Sequence, residues 1–203
     1  MFGDPVANER AWVTQKLGDV AGKITDGTHK TPGYLECGIP FLSAKDLKNG
    51  GVVWDSGKFI SIDEHLELSK RCDPRRGDIL LAKSGSLGDV AIVDRDHEFS
   101  LFESLCLIKH DREQLDGVFL LHALRNPSLR AHLLGKNKGV AIRHLHLVDI
   151  RSLLVPVPPI SIQQDFAKRI SGVGRMRSAG TASLSTLDAL FSSLQHRAFR
   201  GEL

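Results

Sequence analysis

The feature that most constrains the fold of this 203-residue chain is a hydrophobic repeat near its C-terminus. Between Phe166 and Ala198 the spacing alternates between four and three residues, and eight of the ten positions in this register are apolar. Such alternation is typical of a heptad seam, along which one helix packs against another. It predicts a single helix over residues 161–199, roughly 58 Å long.

The ends and the middle of this helix carry their own signals. Ser161 is the expected N-cap, with Gln164 completing a capping box, and Gly201 is the expected terminator. Glycine in a helix interior costs about 1 kcal/mol relative to alanine, so the middle of the helix is expected to bend or fray. The three glycines concerned are Gly172, Gly174 and Gly180.

The apolar seam residues are expected to contact a second copy of the chain, giving a homodimer through a coiled coil. They are Phe166, Ile170, Val173, Leu184, Leu187, Phe191 and Leu194. The alternative is an amphipathic helix that folds back onto its own domain. Length argues against the alternative, because residues 161–199 are far more than the ~11–12 of a typical globular helix.

A proline cluster at residues 156–159 separates this helix from a region of different character. Proline cannot continue a strand ladder or sit inside a helix, so we place a domain boundary there, between residues 1–158 and 159–203. The first region has short apolar runs between glycine turns, which predict strands at 59–62, 78–82, 89–93 and 105–108. A helical pattern at 117–134 is interrupted at Asn126-Pro127, and the apolar stretch 150–157 has no assigned type.

Together these patterns predict an α+β fold. We expect a small, mostly antiparallel β-sheet domain with helices, followed by one long C-terminal helix that forms a coiled coil. Apolar residues make up 41% of the chain and charged residues 25%, which is ordinary for a globular protein and argues against disorder.

The known catalytic motifs are missing from the sequence. It lacks a phosphate-binding P-loop, a dinucleotide loop, a serine-hydrolase elbow, a zinc-protease motif and the tetrapeptide of adenine methyltransferases. His144 and His146 could be two metal ligands on one strand face, but no third ligand is near, and one packed and one exposed histidine is the commoner arrangement. The three separated cysteines indicate neither a disulfide framework nor a zinc site. We therefore expect no catalytic site, metal or cofactor, and a cytoplasmic location because no signal peptide or membrane span is evident.

Positive charge is concentrated locally, although the formal net charge of the chain is only +3. The glycine-flanked stretch 135–146 carries Lys136, Lys138, Arg143 and His144. Lysines on such a loop suit phosphate contact, and arginine can bind guanine through two hydrogen bonds. A solvated charged loop explains the stretch equally well.

Two further turns share this chemistry. One contains Thr28, His29 and Lys30, and the other contains Lys83, Ser84 and Ser86. Hydroxyl groups, backbone amides and lysines are common donors to phosphate oxygens. Ordinary hairpin turns use the same residues, so only the three stretches together favour nucleic-acid binding.

Several short motifs, in this order along the chain, resemble one protein family. They are residues 17–20 (LGDV) with 24–28 (ITDGT), 38–42 (GIPFL), 77–80 (GDIL) with 83–88 (KSGSLG), and 155–160 (VPVPPI) with Gln163-Gln164. They are similar to the specificity subunits of Type I restriction-modification systems. Such subunits usually carry two target recognition domains and two spacer helices. This chain resembles a half-length form, with one of each.

The resemblance implies that the chain recognises one half of a split site on double-stranded DNA and is not itself an enzyme. Modification subunits would bring S-adenosylmethionine and the methyl-transfer site, and a restriction subunit is a further candidate partner. Base-reading residues vary across this family, so none can be carried over, and the candidate residues above rest on loop chemistry alone. One alternative is an interaction protein that pairs through its helix and regulates or competes with such a complex without strong DNA binding. A stand-alone enzyme is a third hypothesis.

Overall fold

A computed structural model describes residues 1–55, 57–135 and 144–203 of the chain. Its contacts divide the chain into two compact units, Met1–Gln163 and Gln164–Leu203. The first unit contains small sheets and helices, and the second is helical. The fold is therefore α+β, as the sequence predicts.

The described residues form eleven strands, most of them short. In chain order they are β1 (Thr14–Lys16), β2 (Ala21–Asp26), β3 (Ile39–Leu42), β4 (Leu47–Lys48), β5 (Gly51–Val52), β6 (Phe59–Ile60), β7 (Ile79–Ala82), β8 (Val90–Ile92), β9 (Ser100–Leu101), β10 (Leu105–His110) and β11 (Leu154–Pro156). The predicted strands at 78–82, 89–93 and 105–108 are thus present within one or two residues.

The described helices are α1 (Ile62–Ser69), α2 (Gly117–Arg125), α3 (Pro127–Gly135), α4 (Leu147–Arg151) and α5 (Ile160–Phe199), with a 3₁₀ turn at Ala44–Asp46. The break between α2 and α3 lies at Asn126, as expected from Asn126-Pro127. The apolar stretch 150–157 divides between the end of α4 and β11.

The largest sheet has the order β2-β10-β7-β8 and is antiparallel throughout. β10 lies inside this sheet, and its residues Leu105, Cys106, Leu107 and Ile108 are all fully buried. A strand covered on both faces is expected to read as a continuous apolar run, and this one does. Three smaller sheets, β1-β11, β6-β3-β9 and β4-β5, complete the unit.

The strand predicted at 59–62 is wrong in its second half. β6 ends at Ile60, and the Ser61 hydroxyl accepts a hydrogen bond from the Glu64 backbone N–H at 3.2 Å, which starts α1. The signal for this helix is present in the sequence, because Ser61 is followed three residues later by Glu64. The alternating apolar residues before it obscure the cap.

α5 is one continuous helix that is not interrupted at its glycines. Its N-terminus is one residue earlier than predicted, so Ser161 lies inside the first turn and is not the N-cap. Its C-terminus is as predicted. Gly201 has a φ of +72°, and the Glu202 N–H donates to the Arg197 carbonyl at 3.0 Å, closing the helix. No described helix is long and apolar enough to cross a membrane.

Candidate nucleic-acid interface

A buried ion pair lies at one edge of the largest sheet. Asp26 ends β2 and Lys83 follows β7, and only 4% and 2% of their surfaces are exposed. The Lys83 Nζ donates to Asp26 Oδ2 at 2.6 Å. β2 and β7 both run antiparallel to β10, so they end at the same edge, beside the start of β10.

Two more side chains contact Asp26. Arg71 donates to Asp26 Oδ1, and His29 Nε2 lies 3.2 Å from Oδ2. The other ring nitrogen of His29 lies 2.7 Å from Glu103 Oε2. Burial raises the pKa of Asp26, but the hydrogen bond and charge of Lys83, helped by the charges of Arg71 and His29, outweigh burial and leave this pKa below its ordinary value. Asp26 is therefore a carboxylate whose charge is compensated on several sides.

This ion pair joins the two turns that the sequence singled out. Thr28 and His29 follow Asp26 closely, and Ser84 follows Lys83 directly. The third predicted stretch meets them through backbone contacts. His144 forms a β-bridge with Ser84, and the Leu145 N–H donates to the Lys83 carbonyl at 2.7 Å. The structure thus gathers parts of all three stretches at one edge of the sheet.

We call the gathered residues the loop cluster: Thr28, His29, Lys30, Ser84, Ser86 and His144. His29 and Lys30 are exposed, and the others are partly exposed. Their outward-facing polar groups can meet a ligand at the surface. Lys136, Lys138 and Arg143 lie outside the described residues.

The polar groups of the loop cluster differ in their charge and in whether they already form hydrogen bonds within the chain. The Ser86 hydroxyl donates to the Ala44 carbonyl at 3.1 Å, and the Thr28 hydroxyl contacts the backbone of Lys30. Burial, with the charges of Lys83 and His146, lowers the pKa of His144, so its ring is neutral near pH 7. Positive charge in the described cluster therefore comes mainly from Lys30.

A lysine must be exposed to contact a phosphate, and Lys83 is not. Its ammonium is buried and occupied by Asp26, so in this structure it holds the loops together. Sequence reasoning missed Asp26 itself, together with Arg71 and Glu103. Asp26 stands 57 residues before Lys83, and nothing in the local pattern links the two.

Gly27 is a second residue that sequence reasoning missed. A Cβ at this position would lie 2.0 Å from the carbonyl oxygen of Leu101, which is far inside contact distance. The neighbouring Thr28 N–H donates to the same carbonyl at 2.9 Å. Only glycine lets the chain pass this close to β9, and the Asp-Gly step at the end of β2 is its signal in the sequence.

His144 and His146 do not share a strand face. His144 lies in an isolated bridge, and His146 is the N-cap residue of α4. Their ring centroids are 5.7 Å apart in an edge-to-face arrangement. Among residues 1–55, 57–135 and 144–203, no group of three or more histidine, cysteine and acidic side chains is placed to hold a metal ion.

The seam of α5 is the second candidate surface. Val173, Leu184, Leu187, Phe191 and Leu194 are exposed, with between 41% and 68% of their surface accessible. Phe166 and Ile170 are partly exposed. Large apolar side chains in a row at heptad spacing are rarely left to water, so this surface is suited to a protein partner.

Comparisons with family models and with curated proteins both point to the same protein family. The family model described as "Type I restriction modification DNA specificity domain" matches residues 9–182 of the chain. Among curated proteins, the chain is similar to the Type I restriction enzyme EcoBI specificity subunit of Escherichia coli. The two are 27% identical over 174 residues, covering 83% of this chain and 36% of that subunit.

Solved structures share the fold. The crystal structure of the HsdS subunit from Thermoanaerobacter tengcongensis matches with a TM-score of 0.62 and 18% identity, over 96% of this chain and 46% of that one. The Type I restriction-modification S subunit from M. genitalium matches with a TM-score of 0.55 and 17% identity, over 89% and 44% of the two chains. The chain spans less than half the length of each of these relatives.

Proposed function

Because this chain belongs to the family of Type I restriction modification DNA specificity domains, we propose that it reads one half of a bipartite DNA site for a restriction-modification complex. In this role it contributes recognition and no catalytic group of its own. The methyl-transfer chemistry and its S-adenosylmethionine come from a modification subunit docked on the chain. A restriction subunit is a further partner.

The observation that carries the proposal is the loop cluster. Stretches that are far apart in the sequence meet at one sheet edge around Asp26 and Lys83, and each contributes hydroxyl, imidazole or ammonium groups. A rigid sheet that presents polar loops is a common way to place base and phosphate contacts, because the scaffold fixes their relative positions. The buried ion pair provides that rigidity here.

The seam of α5 supports the second part of the proposal, which concerns symmetry. Two copies that pair through their seams would present two loop clusters related by a two-fold axis. A two-fold protein reads a palindromic pair of half-sites, with the spacing set by the distance between the domains. The pairing would add a second recognition unit to this chain, which spans under half the length of its structural relatives.

DNA binding at the loop cluster is tested by fluorescence anisotropy on the chain assembled with its modification subunit, at several salt concentrations. Removing one phosphate-binding side chain lowers the slope of log affinity against log salt by about 0.9. Lys30→Ala, Lys136→Ala and Lys138→Ala should each do so on every sequence. Arg143→Ala should cost about 1–3 kcal/mol on the cognate site and less on random DNA, if it contacts a base through two hydrogen bonds.

The matched control is Lys70→Ala, because Lys70 is an exposed lysine that follows α1 and pairs with Glu67. It should leave affinity and slope unchanged. If the Lys30, Lys136, Lys138 and Arg143 variants all behave like the control, the recognition surface lies elsewhere in the chain. A wild-type assembly without salt-dependent DNA binding would favour the regulatory interaction protein.

A further inference from the structure

A cationic cleft lies beside the loop cluster. It has a volume of about 250 Å³ and lies where the β4–β5 turn, the turn before β8 and the α2–α3 junction meet. The residues that matter for its chemistry are Lys48, Gly50, Gly88, Asp89, Arg125 and Arg130. Gly88 belongs to the same β7–β8 loop as Ser84, so the cleft and the loop cluster are joined by one short segment.

Two arginines lie against glycines in the cleft wall. A Cβ on Gly50 would come within 2.4 Å of Arg125 Nη1 and would displace that guanidinium, and Gly50 has a φ of +87°, so a side chain here would also be strained. Asn49 and Gly50 both have positive φ, as a two-residue hairpin turn requires. Asn-Gly between β4 and β5 thus lets the Arg125 guanidinium lie directly on the turn.

Arg130 occupies the other wall. Its Nη2 donates to the Leu87 carbonyl at 2.7 Å and to Asp89 Oδ1 at 3.2 Å. A Cβ on Gly88 would come within 2.9 Å of Arg130 Nε, so this guanidinium also packs on backbone. These contacts fix the position of Arg130 before any ligand arrives.

The cleft is lined by more basic than acidic side chains. Lys48, Arg125 and Arg130 line it, opposed by Asp89 alone. Within the described part of the chain, neither Lys48 nor Arg125 forms an ion pair. The Nε of Arg130 is buried and has no hydrogen-bond acceptor there. A buried donor without an acceptor is unfavourable, so the hydrogen bonds of Arg130 to Leu87 and Asp89 must offset this cost.

We propose that this cleft binds a phosphate group, and that in the assembled complex the phosphate belongs to the DNA backbone. The second half rests on the proposed function. Small size supports a phosphate, because pockets for larger ligands have volumes of ~300–1,000 Å³. Guanidinium groups bind phosphate through paired, charge-assisted hydrogen bonds, and a lysine adds a point charge. The cleft anchors the DNA backbone while the loop cluster meets the bases.

The DNA arm of the test uses Lys48→Ala and Arg125→Ala in the assembled complex. Each should reduce the slope of log affinity against log salt by about 0.9 and weaken binding to cognate and random DNA alike. Lys16→Ala is the matched control, since Lys16 is an exposed lysine on β1, outside the cleft. Lys48 is exposed, so its variant should fold even if the Arg125 variant does not.

The phosphate arm uses inorganic phosphate and the chain alone. Amide resonances of Gly50 and Gly88 should shift saturably with phosphate in the wild type, and this response should vanish in Arg125→Ala and be reduced in Lys48→Ala. Saturable shifts together with the slope change support the whole proposal. Saturable shifts without any effect on DNA binding overturn the backbone assignment and leave a site for free phosphate.

The two proposals can fail separately. If the wild-type complex binds DNA and both cleft variants match Lys16→Ala, with no saturable phosphate shifts, the cleft proposal is overturned and the proposed function stands. If the wild type does not bind DNA but the phosphate shifts are saturable, the proposed function fails and the cleft remains a phosphate site. Absence of both responses overturns both.

Discussion

At the residue scale, the Asp26–Lys83 pair decides how the surface loops are held. Two opposite charges in a buried site offset the cost of removing each from water only while both are present. Arg71 and His29 bind the same carboxylate, so Asp26 ties together segments from several places in the chain. Removing Asp26 leaves the Lys83 charge uncompensated in the interior, whereas removing Lys83 leaves Asp26 with Arg71 and His29.

We therefore expect Asp26→Asn to lower the free energy of unfolding by about 3–5 kcal/mol, and Lys83→Met to lower it by less, measured by urea denaturation. The double variant should be less destabilised than the sum of the two, because no lone charge remains. Asp73→Asn is the control. Its pair with Lys23 is partly exposed, with both side chains over a third accessible, and it should cost no more than about 1 kcal/mol.

The same pair gives a pH dependence whose sign follows from the lowered pKa of Asp26. In the unfolded chain an aspartate has a pKa of ~3.9. The stabilisation from Asp26 is thus complete above that pH and is lost as the pH falls through the lower pKa of the folded state. The thermal unfolding temperature of the wild type should fall across this acid range more steeply than that of Asp26→Asn. Parallel curves would contradict a charged Asp26.

At the scale of elements, α5 has a single buried residue, Gln163, so we expect its stability to depend on a partner. Its seam is apolar and exposed, and its end is closed by Gly201. An isolated helix is marginal in water, and packing of the apolar face supplies most of its stability. Pairing through the seam would provide that packing.

Leu187→Asp combined with Phe191→Asp should convert a dimer into a monomer, measured by sedimentation at micromolar concentration. Burying each of these side chains is worth roughly 1.5–3 kcal/mol, and the aspartates would also repel each other across the seam. Ser185→Asp with Ser193→Asp adds the same charge away from the seam and should leave the dimer intact. A monomeric wild type would refute the pairing and favour the folded-back helix.

At the scale of the whole molecule, we propose that the chain supplies recognition surfaces and that its partners supply the chemistry. Its family membership and its match to 36% of the Escherichia coli subunit are consistent with about one recognition domain. The buried polar groups of the first unit serve to position loops.

The purified chain should therefore transfer no methyl groups from S-adenosylmethionine to DNA, and transfer should begin when the modification subunit is added. Incorporation of labelled methyl groups measures both. The Leu187→Asp and Phe191→Asp variant separates assembly from recognition, because it keeps the loop cluster and abolishes the pairing. Saturable calorimetric binding of S-adenosylmethionine to the chain alone would contradict the proposal that the modification subunit supplies the cofactor site.

The sequence by itself determined the features that depend on a few neighbouring residues. The heptad spacing located α5 to within one residue of its start, Asn126-Pro127 located the break between α2 and α3, and Gly201 marked the end of the last helix. Runs of continuous apolar residues, such as residues 105–108 at the start of β10, were also visible. In each case the cause lies within one turn or one strand, so the local pattern is sufficient.

Only the tertiary structure decided what the polar residues do. Lys83 reads as an exposed loop lysine, yet the order β2-β10-β7 buries it against Asp26. The sequence shows Arg125 only as the last residue of a helix, whereas the structure also places its guanidinium against the turn at Gly50. These partners are distant in the chain, and their meeting depends on how whole strands pack to bury apolar surface. A charged side chain takes its role from the partner that this packing brings to it, and no local pattern encodes that partner.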